Sequence, residues 1–319
     1  VAIAAATAAH AADLPAPPPM PAPVVMPILE TSGWYLRGDI GRSEYAKPKL
    51  RLDPNPLAEV DAGWTYDNGS FMERQTAPTR TYDFYDQRLT HSIFVDLGIG
   101  YQFNQWLRAD ATFEWRGGSK LKAYDLLTRS YVYSQSAYDG SWNVDWQTRS
   151  LLRNNYRGNL DSLATMVNAY VDLGTFGGIT PYVGAGLGLA YHRITSLTDT
   201  GHNDVTTTDA NGVSNTTRHT TGGYFKDGKK TSFAWALMAG VSYNLTQNVK
   251  LDIGYRYANL GKARSGAAHC FNDPGCKQWR VSTNNIESHD VRIGMRWMLS
   301  QPDAPAPAAY FPAPLRSKF

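Results

Sequence analysis

Residues 92–116 read Ser-Ile-Phe-Val-Asp-Leu-Gly-Ile-Gly-Tyr-Gln-Phe-Asn-Gln-Trp-Leu-Arg-Ala-Asp-Ala-Thr-Phe-Glu-Trp-Arg. Taken alternately, Ile93, Val95, Leu97, Ile99 and Tyr101 form an apolar row. Ser92, Asp96, Gly98, Gly100 and Gln102 form a polar one, in which only Phe94 is apolar. Past the Asn104-Gln105 turn the split returns, with Leu107, Ala109, Ala111, Phe113 and Trp115 against Arg108, Asp110, Thr112, Glu114 and Arg116. A period of two marks strands, and two such runs across a tight turn make a hairpin. Ionised residues stand in mid-strand on the polar side. A soluble sheet hides its apolar face and wets the other. A membrane barrel turns the apolar row to lipid and the polar row to the lumen.

The rest of the chain decides between these readings. A first strand starts near Trp34, with Trp34, Leu36, Gly38 and Ile40 against Tyr35, Arg37, Asp39 and Gly41. A fourth covers roughly 163–174, with Val167, Ala169, Val171 and Leu173 against Asn168, Tyr170 and Asp172. A fifth sets Val183, Ala185, Leu187, Leu189 and Tyr191 against Tyr182 and three glycines, which leave room for bulky neighbours or mark bends. Phe233 to Tyr243 gives a sixth. Val249, Leu251, Ile253, Tyr255 and Tyr257 oppose Lys250, Asp252, Gly254 and Arg256 in a seventh. Val291, Ile293, Met295, Trp297 and Leu299 oppose Asp290, Arg292, Gly294 and Arg296 in an eighth.

The connections alternate. Those after strands two, four and six are short. The others, near 46–90, 118–160, 194–230 and 263–285, are long and polar. In the first, Thr81–Arg88 extends the next strand; the second holds hairpin extensions or loop; the third reads as loop. This asymmetry predicts an all-β fold, an eight-stranded antiparallel transmembrane β-barrel over 33–300 with four long extracellular loops and short periplasmic turns. Lipid would leave an open sheet edge unpaired, so strand one must meet strand eight. Trp34, Trp106, Tyr243 and Trp297 near the short turns, and Trp115, Tyr191, Phe233 and Trp235 near the long loops, form two aromatic girdles. The rival is a soluble β-sandwich or barrel that buries Ile93, Val95 and Leu97.

Composition is consistent with the barrel. A mean hydropathy of −0.40 yields no helical span, since no apolar run of about 18 residues exists, but barrel strands carry only a weak signal each. A net charge of +3 with no basic stripe gives no case for a nucleic-acid partner. Residues 1–12 read as the end of a signal peptide, with Ala9-His10-Ala11 as its cleavage site, or else as a disordered Ala-rich tail. Residues 13–32 and 301–319 are Pro/Ala-rich, a tether and a tail. Cys270 and Cys276 flank an Asn-Asp-Pro-Gly turn. A disulfide is expected in an oxidising compartment, with two free thiols as the alternative.

The polar rows bring Asp39, Asp96, Asp110, Glu114, Asp172, Asp252 and Asp290 together with Arg37, Arg108, Arg116, Lys250, Arg256, Arg292 and Arg296. An eight-stranded barrel is just wide enough for its own side chains. Balanced charges there imply a lumen plugged by ion pairs, with Arg108, Asp110, Asp252 and Arg256 at mid-height. A narrow conducting pore is the alternative.

Five motifs carry a family resemblance. They are Ala-Ala-Asp-Leu-Pro at 11–15, Gly-Trp-Tyr-Leu-Arg-Gly-Asp-Ile-Gly at 33–41, Pro-Tyr-Val-Gly-Ala-Gly-Leu-Gly at 181–188, Asp-Ile-Gly-Tyr-Arg-Tyr at 252–257 and Val-Arg-Ile-Gly-Met-Arg-Trp at 291–297. The chain resembles the small outer-membrane barrels of alphaproteobacteria, relatives of the opacity proteins and of the outer membrane protein A transmembrane domain. The resemblance implies a Gram-negative outer-membrane protein with both termini periplasmic and exposed loops. Its roles would be envelope integrity, adhesion, immunogenicity or small-channel activity, with no shared catalytic residues. One departure is that the last strand ends at Trp297-Met298-Leu299, ahead of a Pro-rich tail.

Three functions remain in view. A structural or interaction protein would use loops rich in Tyr, Trp and Arg, with outer-membrane lipid, lipopolysaccharide and other envelope or surface proteins as partners. A small porin is the second. A lipid-modifying enzyme is the remote third, drawing on His91, Ser92, His192, Ser288, His289 and Asp290 near the outer rim. His202, Asp204, Asp209 and His219 lack the fixed spacing of a metal site. No catalytic, cofactor or metal residue is assigned.

Overall fold

The computed structural model describes residues 32–57, 65–67, 71–75, 79–137, 143–271 and 274–299. The expected leader at 1–12, the tether up to residue 31 and the tail at 301–319 lie outside them. Eight strands form the body: β1 (Gly33–Tyr45), β2 (Ser92–Gln102), β3 (Leu107–Ala137), β4 (Asn143–Asp172), β5 (Ile179–Thr208), β6 (Gly228–Asn244), β7 (Val249–Asn259) and β8 (Glu287–Met298). Each pairs antiparallel with the next, and β8 pairs back with β1, Ile40 facing Val95 on one side and Ile293 on the other. The sheet is therefore a closed ring, which leaves no strand edge in lipid.

Three short turns lie at one end of the ring, where the Leu299 amide also closes onto the Trp34 carbonyl at 2.8 Å. The inversion is complete along the spanning strands. Ile93, Leu187 and Ile253 are 57, 60 and 48 % exposed, whereas Arg108 and Asp252 are buried. Apolar rows in contact with solvent or lipid cannot be the core of a soluble sandwich.

The long connections are largely strand, in line with the hairpin extensions at 118–160 and the extension at Thr81–Arg88 but not with the loop expected at 194–230. β3 and β4 run 31 and 30 residues, pairing from the short-turn end out to Ser136 and Asn143. Thr79–Leu89 adds a second partner to β3. Residues 194–230, expected as a loop, are instead the outer half of β5 paired with a strand at Ser214–Phe225. Two bulges make the extension possible. Between Arg116 and Ser119 β3 carries one extra residue, with Gly118 at φ +83°, the left-handed region that glycine enters freely. Ser196, at φ +51°, marks the second in β5.

Each bulge changes which alternate residues point inward. The inward row of β3 runs Arg108, Asp110, Thr112, Glu114, Arg116 below the bulge and Ser119, Leu121, Ala123 above it. The inward residues turn apolar there, and the outward ones become Lys120 and Lys122. The same tube thus follows the membrane rule below and the soluble rule above. Its upper interior is an apolar core that includes Leu52, Leu121, Leu160, Ile194, Leu260 and Ile286.

Candidate functional site

Period two delivers the charged rows into the lumen, where they meet in three tiers. At the short-turn end Arg108 Nε donates to Asp172 at 3.1 Å, and Arg296 Nε to Asp252 at 2.6 Å. The Arg108 guanidinium also lies 4.1 Å from the Tyr170 ring centroid and 4.7 Å from that of Tyr182. At mid-height Arg37 bonds Asp39 at 2.9 Å and Asp110 at 2.6 Å, and Arg292 reaches Asp39 at 2.7 Å and Asp96 at 3.2 Å. Asn168 and the Tyr35 hydroxyl donate to Asp110 as well. Near the outer rim Arg116 and Arg256 share Glu114 and Asp290, with Arg116 to Asp290 at 2.7 Å and Arg256 to Asp290 at 2.8 Å.

No side chain in these pairs is more than 4 % exposed. Burial at this depth is tolerable only because each carboxylate is met by a guanidinium. The four residues expected at mid-height do not pair with one another; each takes a different partner. Lys250 is the exception in the row. It is half-buried at the short-turn end, and no carboxylate lies within 4 Å of it among the described residues. Five further polar atoms in the lumen, Asp96 Oδ1, Gln102 Oε1, both terminal nitrogens of Arg108 and one of Arg296, have no protein partner.

Glycines make space for this packing. The Tyr170 ring lies 2.5 Å from where a Cβ on Gly184 would stand, so the inner wall of β5 is bare where its neighbours are largest. Phe94, the apolar intruder in the polar row, is wedged under two guanidiniums, 5.1 Å from Arg116 and 4.9 Å from Arg256.

The profile of the outer membrane protein beta-barrel domain family matches residues 1–298. The chain belongs to this family. An uncharacterized protein from Brucella abortus is 30 % identical over 309 residues, covering 92 % of this chain and 94 % of that protein. A Rickettsia prowazekii protein named as an adhesin candidate is 25 % identical over 210 residues, 65 % of this chain and 74 % of its own. The crystal structure of Neisserial surface protein A is similar at 17 % identity and a TM-score of 0.36, covering 84 % of this chain and 98 % of that one.

The outer-membrane barrel carries its exposed features on the extracellular extension. Cys270 and Cys276 form a disulfide there. It fixes the last long connection, whose Ala268–Cys270 strand pairs with Gly223–Phe225. A cavity of about 580 Å³ opens nearby among Arg129, Asn154, Asn203, His219 and Trp279. Asp125 lies buried in this part of the tube and accepts from the Tyr156 hydroxyl at 2.8 Å, the Tyr82 hydroxyl at 3.0 Å and the Asn154 amide at 3.1 Å. Burial pushes its pKa up to about 6 despite those bonds.

Apart from the exposed His91, the residues considered for lipid chemistry are otherwise engaged. Ser288 and Asp290 accept from Arg116, Ser92 pairs with Tyr45, and His289 with Tyr255. His192 bonds Ser162 at 2.7 Å and the Leu260 carbonyl at 2.8 Å. That Ser–His contact joins β4 to β5 and was invisible in sequence, because the two lie thirty residues apart. Both side chains are buried, away from any lipid. Asp204 holds Arg218 through two bonds of 2.6 and 2.8 Å, and no metal-binding cluster with His202 and His219 occurs among the described residues.

Proposed function

We propose that this outer-membrane barrel is a sealed structural and interaction protein, whose lumen is closed by its own charges and whose extracellular extension is the recognition surface. The observation that carries the reading is the order of layers along the tube: three tiers of buried ion pairs, then an apolar core above them. A hydrated ion entering from below would have to break paired charges and then cross an apolar zone where an isolated ion is very costly. The unpaired Lys250 lies at the periplasmic end, and the free Arg108 nitrogens sit within the lowest tier of pairs, short of the apolar core.

The extension supplies what a recognition surface needs. Its strands continue far past the spanning region, its apolar core and disulfide hold its shape, and polar and aromatic groups face outward. The Rickettsia relative named as an adhesin candidate supports the same reading. Its partners would be outer-membrane lipid, lipopolysaccharide and other envelope or surface proteins.

The rival is a small porin. Planar-bilayer recording with the purified full chain separates the two. The sealed barrel gives no reproducible conductance steps; regular steps that scale with salt would overturn it.

A further inference from the structure

The outer rim between β7, β8 and β1 carries two adjoining clefts. The lower, of about 500 Å³, is lined by Lys47, Lys49 and Lys262, with Glu287 its only carboxylate. The upper, of about 440 Å³, holds Arg51, Lys230, Arg264 and Arg280, with Asp53 its only carboxylate. A two-stranded ribbon, Leu50–Asp53 paired with Arg280–Thr283, joins them. The Asn284 amide extends this pairing to the Lys49 carbonyl at 2.8 Å.

Period two builds the basic surface. Lys47, Lys49 and Arg51 point outward while Pro48, Leu50 and Leu52 are buried, so the three cations climb in steps of about 7 Å. Lys262 and Arg264 form a second short row, with Ala263 buried between them. Arg264 is bridged to Ser282 of the ribbon. Asp53 is already shared by Arg51 at 3.3 Å and Arg264 at 3.9 Å. The three lysines, Lys230 and Arg280 have no carboxylate within 4 Å among the described residues.

Position gives the patch its meaning. Directly below it, on the same strands, Tyr255, Tyr257 and His289 form an outward aromatic cluster, with Tyr257 and His289 rings 5.5 Å apart. Aromatic belts mark the depth of the lipid head groups. The Lys262 row begins five residues past Tyr257, and Lys47 lies two residues past the end of β1. They therefore stand at the height where the phosphates of the outer leaflet lie.

We propose that these rows bind the phosphorylated head group of an outer-leaflet glycolipid of the lipopolysaccharide class. Charge complementarity selects the ligand: seven cations against two carboxylates need an anion with several charged groups. The aromatic cluster below seats the boundary between sugar and acyl chain. The site depends on the outer-membrane placement and not on whether the lumen is closed.

The test is native mass spectrometry of the full chain in detergent, titrated with bisphosphorylated lipid A. The K47Q/K49Q/K262Q/R264Q variant should bind at least about 10-fold more weakly, since each basic residue beside an anionic surface contributes several-fold. The wild-type chain should lose as much when offered dephosphorylated lipid A. K120Q/K122Q, on the outer face of β3 away from both clefts, should bind as wild type. Retention of the wild-type mobility shift on heating in detergent gels confirms that each variant is folded. Equal binding by the four-site variant, equal loss in K120Q/K122Q, equal binding of phosphatidylglycerol, or no lipid A adduct at all would each overturn the assignment.

Discussion

Arg116 of β3 and Asp290 of β8 meet across the lumen, Nη2 to Oδ2 at 2.7 Å, although two strands separate them around the ring. The contact is a cross-brace that no neighbouring-strand hydrogen bond supplies. It ties the first half of the chain to the last strand.

Removing one partner should therefore be expensive. Asp290→Ala leaves Arg116 and Arg256 buried with Glu114 alone between them. Breaking a buried pair in this way costs about 3–5 kcal/mol. Urea unfolding in lipid vesicles, followed by tryptophan fluorescence, measures it. The double variant Arg116→Leu with Asp290→Leu should lose less than the sum of the single changes. Additive losses would mean that the two side chains do not act as a unit.

Phe94 is held by its cationic neighbours and by a gap opposite it. The Phe94 ring occupies the space where a Cβ on Gly41 would be built. Gly41→Val should evict the ring and uncover the upper arginine tier, lowering the yield of heat-resistant folded barrel. Phe94→Leu, which keeps apolar volume but removes the ring face, should cost about 1–2 kcal/mol as the two cation–π contacts are lost. An unchanged urea midpoint in Phe94→Leu would show that the ring is filler only.

Asp125 makes the extension sensitive to pH. In an unfolded chain its carboxyl ionises near pH 3.9, about the ordinary value. In the folded tube, burial raises that pKa to about 6. The folded state therefore binds the proton more tightly, and this contribution to stability is whole below about pH 4 and lost as pH rises through about 6. Hydrogen exchange over 121–127 and 152–156, corrected for intrinsic rates, should report more protection at pH 5 than at pH 7.5. Asp125→Asn should flatten the difference. A difference of the same size in the variant would assign it elsewhere.

The barrel itself was legible because lipid enforces a plain rule. Every spanning strand needs an apolar outward row, and rows such as Leu107 to Trp115 or Val249 to Tyr257 satisfy it. Closure, strand number and the side bearing the long connections all followed. The extension was harder to read because the rule reverses above the rim. Leu121 and Ala123 form an inward apolar row on β3, but only after the bulge at Gly118 shifts the phase. A search for outward apolar rows passes over such a segment, so 118–160 stayed open between hairpin extension and loop, and 194–230 looked like loop. Which arginine would meet which aspartate was equally hidden. Arg37 and Asp110 lie 73 positions apart, and their meeting depends on strand stagger that alternation does not encode.

The apolar core above the rim also bears on how the chain reaches its place. It condenses only from segments that have already crossed the bilayer, and it is built on strands about twice as long as β1. Once gathered on the far side, it acts like the head of a rivet. The barrel cannot slip back through the sheet of lipid unless that head is first dismantled, so insertion is a one-way step.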